Sequence, residues 1–280
     1  MKNIIRNLKR RSKVVGMFVS LLVYPFIVLG QEDLPFQSGE QLDYSVYYKY
    51  GIVMVKAGNA RYAIKDYTFE GKPAIRTSLT FKTTGVVDAA FKVKDTLYSY
   101  LTPKLIPVFH RKYLHEGKTH YIEEIEYKKF SENFTSAQSR RIKDGNVRFD
   151  ILLTAKGFGY DLLSIFTFIR TLNYPDLKTG ETFGLTSFVG RDAVPLKVRY
   201  MGQTILDKGS VKYKTLRFEI DIVDPAFTEQ KTAMEMWISD DKNHIPLKLR
   251  AKLKIGAAEA EITSTRNLKY PFDSKIEISQ

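Results

Sequence analysis

The stretch LDYSVYYKY at residues 42–50 alternates between side chains that suit a core and side chains that suit water. In an extended strand, Leu42, Tyr44 and Val46 fall on one face, whereas Asp43 falls on the other. One-sided alternation of this kind is typical of antiparallel sheets that have one dry face and one wet face. The stretch therefore predicts a half-buried β-strand.

The same period of two returns along most of the chain. Further alternating stretches lie at residues 60–64, 196–200, 216–222 and 247–255. We therefore expect a mainly β protein, built as a curved antiparallel sheet or as an open, incomplete β-barrel. It would form a single β-rich exported domain over residues 31–280, with an N-terminal β segment at about 39–150 and a C-terminal β segment at about 181–270.

Residues 161–172, DLLSIFTFIRTL, break the alternation and predict a helix. Asp161 offers a side-chain oxygen that can cap the first-turn N–H groups, and Pro175 follows as a stop. Apolar side chains cover nearly every side of this helix, so it should be largely buried. We expect it to pack into the concave face of the sheet.

Two short turns support hairpins between neighbouring strands. Asp144 and Gly145 suit a type I′ turn, which needs positive φ at both central positions. Gly117 and Lys118 place glycine first, as a type II′ turn requires. A similar two-residue loop at 256–257 is a third prediction.

That third loop fixes a strand register. It places Lys254 opposite Glu259 and Lys252 opposite Glu261. Opposite charges that face each other across two strands contribute about 0.2–1 kcal/mol per pair. Turn chemistry and charge therefore agree on this register.

The first thirty residues have the layout of a secretory signal peptide. Residues 1–13 are rich in Lys and Arg, residues 14–29 are mostly apolar, and Gly30 is a small residue at the expected cut. The apolar run is shorter than the roughly 20 residues that a spanning helix needs. We therefore expect a cleaved signal and a periplasmic protein with no spanning segment. An uncleaved inner-membrane anchor and a secreted protein are the alternatives.

Composition excludes some functions and leaves others open. The chain has no Cys, so an exported form must rely on its core without disulfides, and its 18 Phe and 17 Tyr supply ample apolar material. The net charge is +13, but the basic residues are scattered along strands. Scattered charges indicate solvated faces, and we expect no nucleic-acid partner.

Metal and nucleotide sites are not expected. His115 and His120 are five residues apart, whereas a zinc helix places its two His four apart. The hairpin at 117–118 would make the two rings face each other, yet no third ligand is evident. Gly117-Lys118-Thr119 lacks the upstream glycine of a phosphate-binding loop. We predict no metal and no cofactor.

Paired carboxylates are the remaining catalytic candidates. Glu124 and Glu126 lie on one strand face, at a spacing that suits glycoside hydrolysis. The hairpin at 117–118, however, sets Arg111 opposite Glu124, and a cation keeps a carboxylate ionised. The sequence also lacks the G-x-S-x-G elbow of serine hydrolases. We assign no catalytic residue and expect a non-enzymatic protein.

Several short motifs occur in a specific order along the chain: Gly39-Glu40, the strand at 42–46, Ala57-Gly58, Asp95, Ser99-Tyr100, Pro107, Glu116-Gly117, residues 161–164, Arg170-Thr171, residues 237–241, Pro246 and Gly256. In this order they resemble an exported bacterial family, the domain of unknown function 3108. The resemblance covers about residues 38 to 270. The resemblance implies a location in the cell envelope and a β-rich fold, and it implies no activity.

A second resemblance concerns residues 237–249. A tryptophan strand, an acidic turn and Pro246-Leu247 at the start of the next strand are similar to a hairpin of LolA/LolB-type periplasmic lipoprotein carriers. Those carriers fold as a curved, incomplete barrel over helices and hold acyl chains inside. The likeness concerns the fold and implies little about function.

Seven polar or aromatic residues at the family-matched positions are candidate ligand or structural positions: Asp95, Ser99, Glu116, Asp161, Ser164, Arg170 and Trp237. Turn formers, a helix cap, a packed tryptophan and ion pairs explain them better than ligand contacts. Ser164 and Arg170 are six apart and should point to different sides of the helix. Arg170 beside a carboxylate such as Asp95 or Glu116 would form a buried or half-buried ion pair.

The leading hypothesis is a carrier or accessory protein of the cell envelope that binds a lipid-like apolar ligand. A carrier predicts an apolar internal cavity of about 300–1,000 Å³. The alternative is a structural or adaptor protein that docks on an outer-membrane partner. A glycan hydrolase that uses Glu124 and Glu126 is a third hypothesis, and the oligomeric state stays open.

Overall fold

The computed structural model describes residues 34–222, 232–253 and 255–276. The predicted signal peptide at residues 1–30 lies outside this part of the chain.

The first half of the described chain is a run of eight antiparallel strands with one short helix. The strands are β1 (Gln41–Tyr50), β2 (Val53–Phe69), β3 (Lys72–Thr83), β4 (Lys94–Leu101), β5 (Pro107–Glu116), β6 (Thr119–Phe130), β7 (Phe134–Lys143) and β8 (Asn146–Lys156). Helix α1 (Gly85–Ala90) connects β3 to β4. Each strand pairs with the next, as short connections favour.

The second half begins with a helix and continues as a second run of strands. Strand β9 (Gly159–Tyr160) and helix α2 (Leu162–Arg170) are followed by a 3₁₀ turn (Tyr174–Asp176). The strands are β10 (Thr182–Val189), β11 (Asp192–Asp207), β12 (Lys212–Ile222), β13 (Met234–Ser239), β14 (Pro246–Lys252), β15 (Ala257–Arg266) and β16 (Lys275–Ile276).

The two runs form one sheet because β1 pairs with β15. The strand order is β8-β7-β6-β5-β4-β3-β2-β1-β15-β14-β13-β12-β11-β10-β9, and β16 pairs with β12. All of these pairs are antiparallel except β9 with β10. The sheet curls into a barrel that is nearly closed and keeps one unsealed seam, between its end strands β8 and β9. The predicted fold class is confirmed.

Two of the predicted turns are confirmed by their backbone angles. Asp144 and Gly145 have φ values of 52° and 73°, and they close the hairpin between Lys143 and Asn146. At the β5–β6 turn, Gly117 has a φ of 60° between the paired residues Glu116 and Thr119. That register makes His115 face His120, as the sequence indicates.

The predicted register of the third hairpin is wrong. Lys252 pairs with Ala257, and the loop between them is closed by a 3.0 Å hydrogen bond from Leu253 N–H to the Gly256 carbonyl. Arg250 therefore faces Glu259, and Lys248 faces Glu261. Lys254 lies outside the described residues. Because the register differs by an even number of residues, each side chain keeps its face, and the alternation cannot reveal the longer loop.

Helix α2 lies inside the barrel and joins two apolar clusters. Leu163 packs with buried residues of β1, β2 and β4, while Ile165 and Ile169 pack with buried residues of β10 to β13. The ring of Phe166 lies 5.0 Å from the ring of Tyr62 on β2. Most side chains of the helix are buried, as the sequence predicts, although Leu162 is exposed.

We expect Gly58→Ala to destabilise the protein, because a methyl group there would overlap the carbonyl oxygen of Lys82 on β3. The loss in the free energy of unfolding should be about 1–3 kcal/mol, measured by urea unfolding. Gly184→Ala is the matched control, since its nearest new contact would be 3.9 Å away. Equal losses for the two variants would contradict this packing.

Candidate functional site

The N-terminal end of α2 is held by one carboxylate. The side chain of Asp161 accepts hydrogen bonds from the backbone N–H groups of Leu163 and Ser164, at 3.0 and 3.1 Å. The predicted N-cap is therefore present. Capping satisfies N–H groups that would otherwise lack partners inside the barrel.

Three strands contribute further partners to Asp161. The hydroxyl of Ser99 on β4 donates to Oδ1 at 2.5 Å, and the hydroxyl of Tyr127 on β6 donates to Oδ2 at 3.2 Å. Nδ1 of His110 on β5 lies 3.1 Å from Oδ1. Ser164 donates to Oδ2 at 2.7 Å. We call these five residues the N-terminal anchor.

The anchor keeps a buried carboxylate ionised. Burial alone would raise the pKa of Asp161, whose side chain is fully buried. The electrostatic attraction of His110 and the hydrogen bonds from Ser99 and Ser164 outweigh burial, and the pKa lies well below its usual value. The anchor therefore holds a negative charge at the positive end of the helix dipole.

Ser99, His110 and Asp161 are the residue types of a hydrolytic triad, but their geometry differs from one. In a triad, histidine contacts serine through one ring nitrogen and the carboxylate through the other. Here Ser99 Oγ and Asp161 Oδ1 both contact Nδ1 of His110, at 2.7 and 3.1 Å. Nε2 of His110 is buried without a partner among the described residues. This arrangement suits anchoring and offers no accessible nucleophile.

The C-terminal end of α2 is held by a buried ion pair. Arg170 donates from Nη1 and Nη2 to the two carboxylate oxygens of Glu40, at 2.5 and 3.0 Å. Nη2 also donates to the carbonyls of Asn243 and Pro35, at 2.8 and 3.2 Å. Both charged side chains are fully buried. We call these four residues the C-terminal anchor.

Glu40 also explains the charge state of Arg170. Burial alone would lower the pKa of Arg170, and the charge and hydrogen bonds of Glu40 raise it. The expected pairing of Arg170 with a buried carboxylate is present, but the partner is Glu40 and not Asp95 or Glu116. Those two residues lie where β4 begins and β5 ends, whereas the last turn of α2 meets the segment just before β1.

The carbonyls of the last helical turn have side-chain partners as well. Thr171 Oγ1 donates to Phe168, and the Tyr174 hydroxyl donates to Ile169 at 2.5 Å. Nδ1 of His244 lies 2.9 Å from the carbonyl of Arg170. Burial lowers the pKa of His244, which favours a neutral ring that donates through Nδ1.

The remaining predicted positions lie apart from the anchors. Asp95 accepts a hydrogen bond from the backbone N–H of His115 at 3.0 Å. Glu116 is paired with Thr119 at the end of β5. Trp237 is half-buried on β13, where Arg217 and Lys248 lie over its ring. Of the seven candidates, the structure brings together Ser99, Asp161 and Ser164, and it places Arg170 at the other end of the helix.

Sequence reasoning missed His110, Tyr127 and Glu40. A histidine or tyrosine on an inward strand face has no distinctive pattern, because its partner comes from a remote helix. Glu40 did carry a signal, since it is a family-matched position immediately before an inward-facing strand. Only the fold shows that this carboxylate meets Arg170.

Aromatic rings cluster around β9, one of the two strands that border the unsealed seam. Phe130 lies 5.0 Å from Phe158 and 5.2 Å from Tyr160, and Tyr160 stacks at 5.1 Å on Phe168 of α2. We define the seam cluster as Tyr127, Phe130, Phe158, Tyr160, Phe168, Phe183 and Phe188. Phe130, Phe158, Phe168 and Phe183 are only partly buried. The interior is thus covered at the seam by side chains.

Hydrogen bonds near the seam depend on side chains. Ser139 on β7 donates to the carbonyl of Gly190 at 2.5 Å, and the N–H of Gly159 donates to Thr135 Oγ1 at 3.1 Å. Elsewhere in the barrel, neighbouring strands share backbone ladders, some of them interrupted by a β-bulge. The seam is therefore the line along which the described barrel can open with the smallest loss of backbone pairing.

The carboxylates proposed for glycan hydrolysis are engaged in ion pairs. Arg111 faces Glu124 as predicted, with Nη2 2.6 Å from Oε1. Glu126 pairs with Lys128.

A groove on the surface, the metal-ligating side chains and the helix lengths bear on the predictions from the sequence. A surface groove of about 470 Å³ has walls of mixed polarity and is not the apolar interior cavity that a carrier predicts; it is lined by Gln203, Thr204, Ile205, Lys214 and Asp240. None of the described residues form a group of three or more metal-ligating side chains. Within the same ranges, no helix has the length and hydropathy needed to cross a bilayer.

Comparison with known structures agrees with the barrel. A β-barrel-like protein from Brucella abortus, described as a domain of unknown function DUF1849, superposes with a TM-score of 0.56 at 8% identity. The match covers 84% of this chain and 100% of that one. A second match is a Bacteroides fragilis protein with a YmcC-like fold, at 9% identity and a TM-score of 0.34. That match covers 84% of this chain and 98% of the Bacteroides chain.

The fold thus defines a β-barrel-like protein with an internal helix. The family model described as "Protein of unknown function (DUF3108)" matches residues 43–263, and the chain belongs to that family. This confirms the family resemblance of the sequence. No curated protein matches the chain.

We expect Arg170→Met to lower the free energy of unfolding by about 3–5 kcal/mol, because it leaves the Glu40 carboxylate buried without a partner. The double variant Arg170→Met, Glu40→Leu should lose less, since it removes both charges. Arg140→Met, which breaks an exposed pair with Asp150, is the control and should cost at most about 1 kcal/mol. Urea unfolding measures all three, and a single-variant loss no larger than the control would contradict a buried pair.

We expect the N-terminal anchor to make stability depend on pH. The folded pKa of Asp161 lies below its unfolded value of about 4, so its contribution is present above about pH 4 and is lost as the pH falls through the folded pKa. The stability difference between wild type and Asp161→Asn should therefore shrink between about pH 5 and pH 2. Exposed Asp150→Asn should show a smaller change. A constant difference for Asp161→Asn would contradict the ionised anchor.

Proposed function

We propose that this protein is a non-enzymatic carrier of the cell envelope that binds a lipid-like apolar ligand beneath α2. The observation that carries the proposal is the seam cluster, where partly buried aromatic rings cover an unsealed edge of an apolar interior. Clefts lined mostly by apolar and aromatic side chains are the usual sites for such ligands.

The two anchors support a carrier in which both ends of α2 stay fixed while side chains in the middle of the helix move to admit a ligand. Asp161 and Arg170 fix the ends of α2 through buried charges. Between them, Phe166 and Phe168 are partly buried and bear on the two apolar clusters. An acyl chain that displaces these rings would gain apolar contacts without breaking either anchor.

Export is part of the proposal. The basic and apolar segments at residues 1–30, predicted as a signal peptide, support passage across the inner membrane, and the absence of Cys suits a fold that is stable without disulfides. The periplasm is the compartment that we propose. The buried geometry of Ser99, His110 and Asp161 supports a role without catalysis.

Single cysteines test the carrier, because the natural chain has none to interfere. Phe183→Cys places a thiol in the seam cluster, and Phe109→Cys places one in an aromatic stack on β5 outside it. A lysophospholipid at ten times its dissociation constant should slow thiol labelling at position 183 by about 10-fold. Labelling at position 109 should not change.

Unchanged labelling at position 183 under saturating lysophospholipid would refute the seam as the entrance. Native mass spectrometry of gently purified protein gives an independent measurement, and it should show added masses of lipid size. An empty protein that crosslinks in intact cells to one defined envelope protein would support the adaptor hypothesis instead.

A further inference from the structure

One rim of the barrel collects exposed apolar side chains. Antiparallel strands place alternate turns at the same end, and the β1–β2, β3–β4 and β14–β15 connections are neighbours there. The Tyr48 hydroxyl donates to the Ile255 carbonyl at 3.0 Å, and Thr84 N–H donates to the Ala57 carbonyl at 3.0 Å. We define the apolar rim as Tyr50, Ile52, Val53, Met54, Val86, Phe91, Leu253 and Ile255.

These side chains project into solvent. Ile52 is fully exposed, and Val86 and Ile255 are 74% and 63% exposed. Val53 and Met54 are successive strand residues that point to opposite faces, yet both are exposed. The β1–β2 hairpin tip therefore stands free of the core on both faces. Exposed apolar groups that cluster in this way mark interaction sites in soluble domains.

Lysines surround the same rim. The sequence segments 49–56, 82–94 and 252–257 contain seven Lys and a single acidic residue, Asp88. Lys56, Lys82, Lys92 and Lys94 are exposed. Asp88 accepts a hydrogen bond from Thr83 at 2.6 Å and lies beside the first turn of α1. The rim thus joins protruding apolar groups to a net positive charge.

We propose that the apolar rim docks the protein on an anionic lipid bilayer surface. The apolar tips would enter the interfacial layer, and the lysines would contact headgroup phosphates. The apolar groups lie on three separate connections with exposed lysines beside them, which suits an anionic bilayer surface better than a protein partner. This inference stands on the rim alone and does not require a ligand inside the barrel.

The test uses the full chain with one environment-sensitive fluorophore, which again exploits the lack of native cysteine. Ile52→Cys carries the label on the rim. Vesicles of phosphatidylglycerol and phosphatidylethanolamine should shift its emission to the blue, whereas phosphatidylcholine vesicles should not. Because the label reports one position, attachment through the N-terminal segment cannot by itself produce the shift.

Charge reversal provides the quantitative comparison. Lys56→Glu, Lys82→Glu and Lys92→Glu together should reduce the ratio of inserted to free label by about 100-fold. Each lysine near an anionic surface strengthens binding by roughly 5-fold, and the triple variant removes three of them. The matched control combines Lys65→Glu, Lys72→Glu and Lys104→Glu, which are exposed at the other ends of β2, β3 and β4. The control triple should leave the ratio unchanged.

A second label position guards against nonspecific adsorption. The second label is placed at Ile205→Cys. The side chain of Ile205 is 52% exposed and lies near the end of β11 that points away from the rim, so a label there should stay in water. Equal shifts at positions 52 and 205 would overturn docking through the rim. So would an unshifted label at position 52, equal effects of the two charge-reversal triples, or a shift that soluble polyphosphate alone reproduces.

Discussion

A helix inside a barrel has terminal backbone groups that water cannot reach, and this constraint organises the structure. Asp161 satisfies N–H groups at the start of α2, while Thr171, Tyr174 and His244 supply partners for carbonyls at its end. The buried charge of Asp161 must itself be stabilised, and polar side chains on β4, β5 and β6 provide the contacts. The polar residues of the two anchors are therefore consequences of burying one helix.

The anchors also decide how the two halves of the sheet stay together. Backbone pairing joins the halves at β1 and β15, but not between β8 and β9. Asp161 bonds to β4, β5 and β6, and the middle of α2 packs against β10 to β13. The helix thus bridges the open side from within. A barrel held this way can leave a seam unsealed without losing its shape, because side-chain contacts replace the missing ladder.

Local patterns predicted local features and failed where remote parts of the chain meet. Alternation identified the strand faces, and the Asp161 cap and the Asp144 turn depend on neighbouring residues only. The hairpin register near Gly256 was wrong because an even shift preserves every face. The partner of Arg170 was wrong because it depends on where the last helical turn meets the chain before β1. The role of His110 could not be predicted either, because its contacts with Ser99 and Asp161 join parts of the chain that are remote in sequence.

Strand direction separates the apolar rim from one part of the seam cluster. The β1–β2 and β3–β4 turns of the apolar rim lie at the end of the sheet where β6 begins and β10 ends. The seam cluster includes Phe130, where β6 ends, and Phe183, where β10 begins. A barrel docked through its rim would therefore turn this part of the seam away from the bilayer. Phe188 and β9, which pairs with Thr186 and Ser187, lie toward the rim end of β10, so the seam extends from the rim to the far end of the barrel. A ligand that enters beside Phe130 and Phe183 would then be accessible to a soluble partner while the protein stays on the membrane.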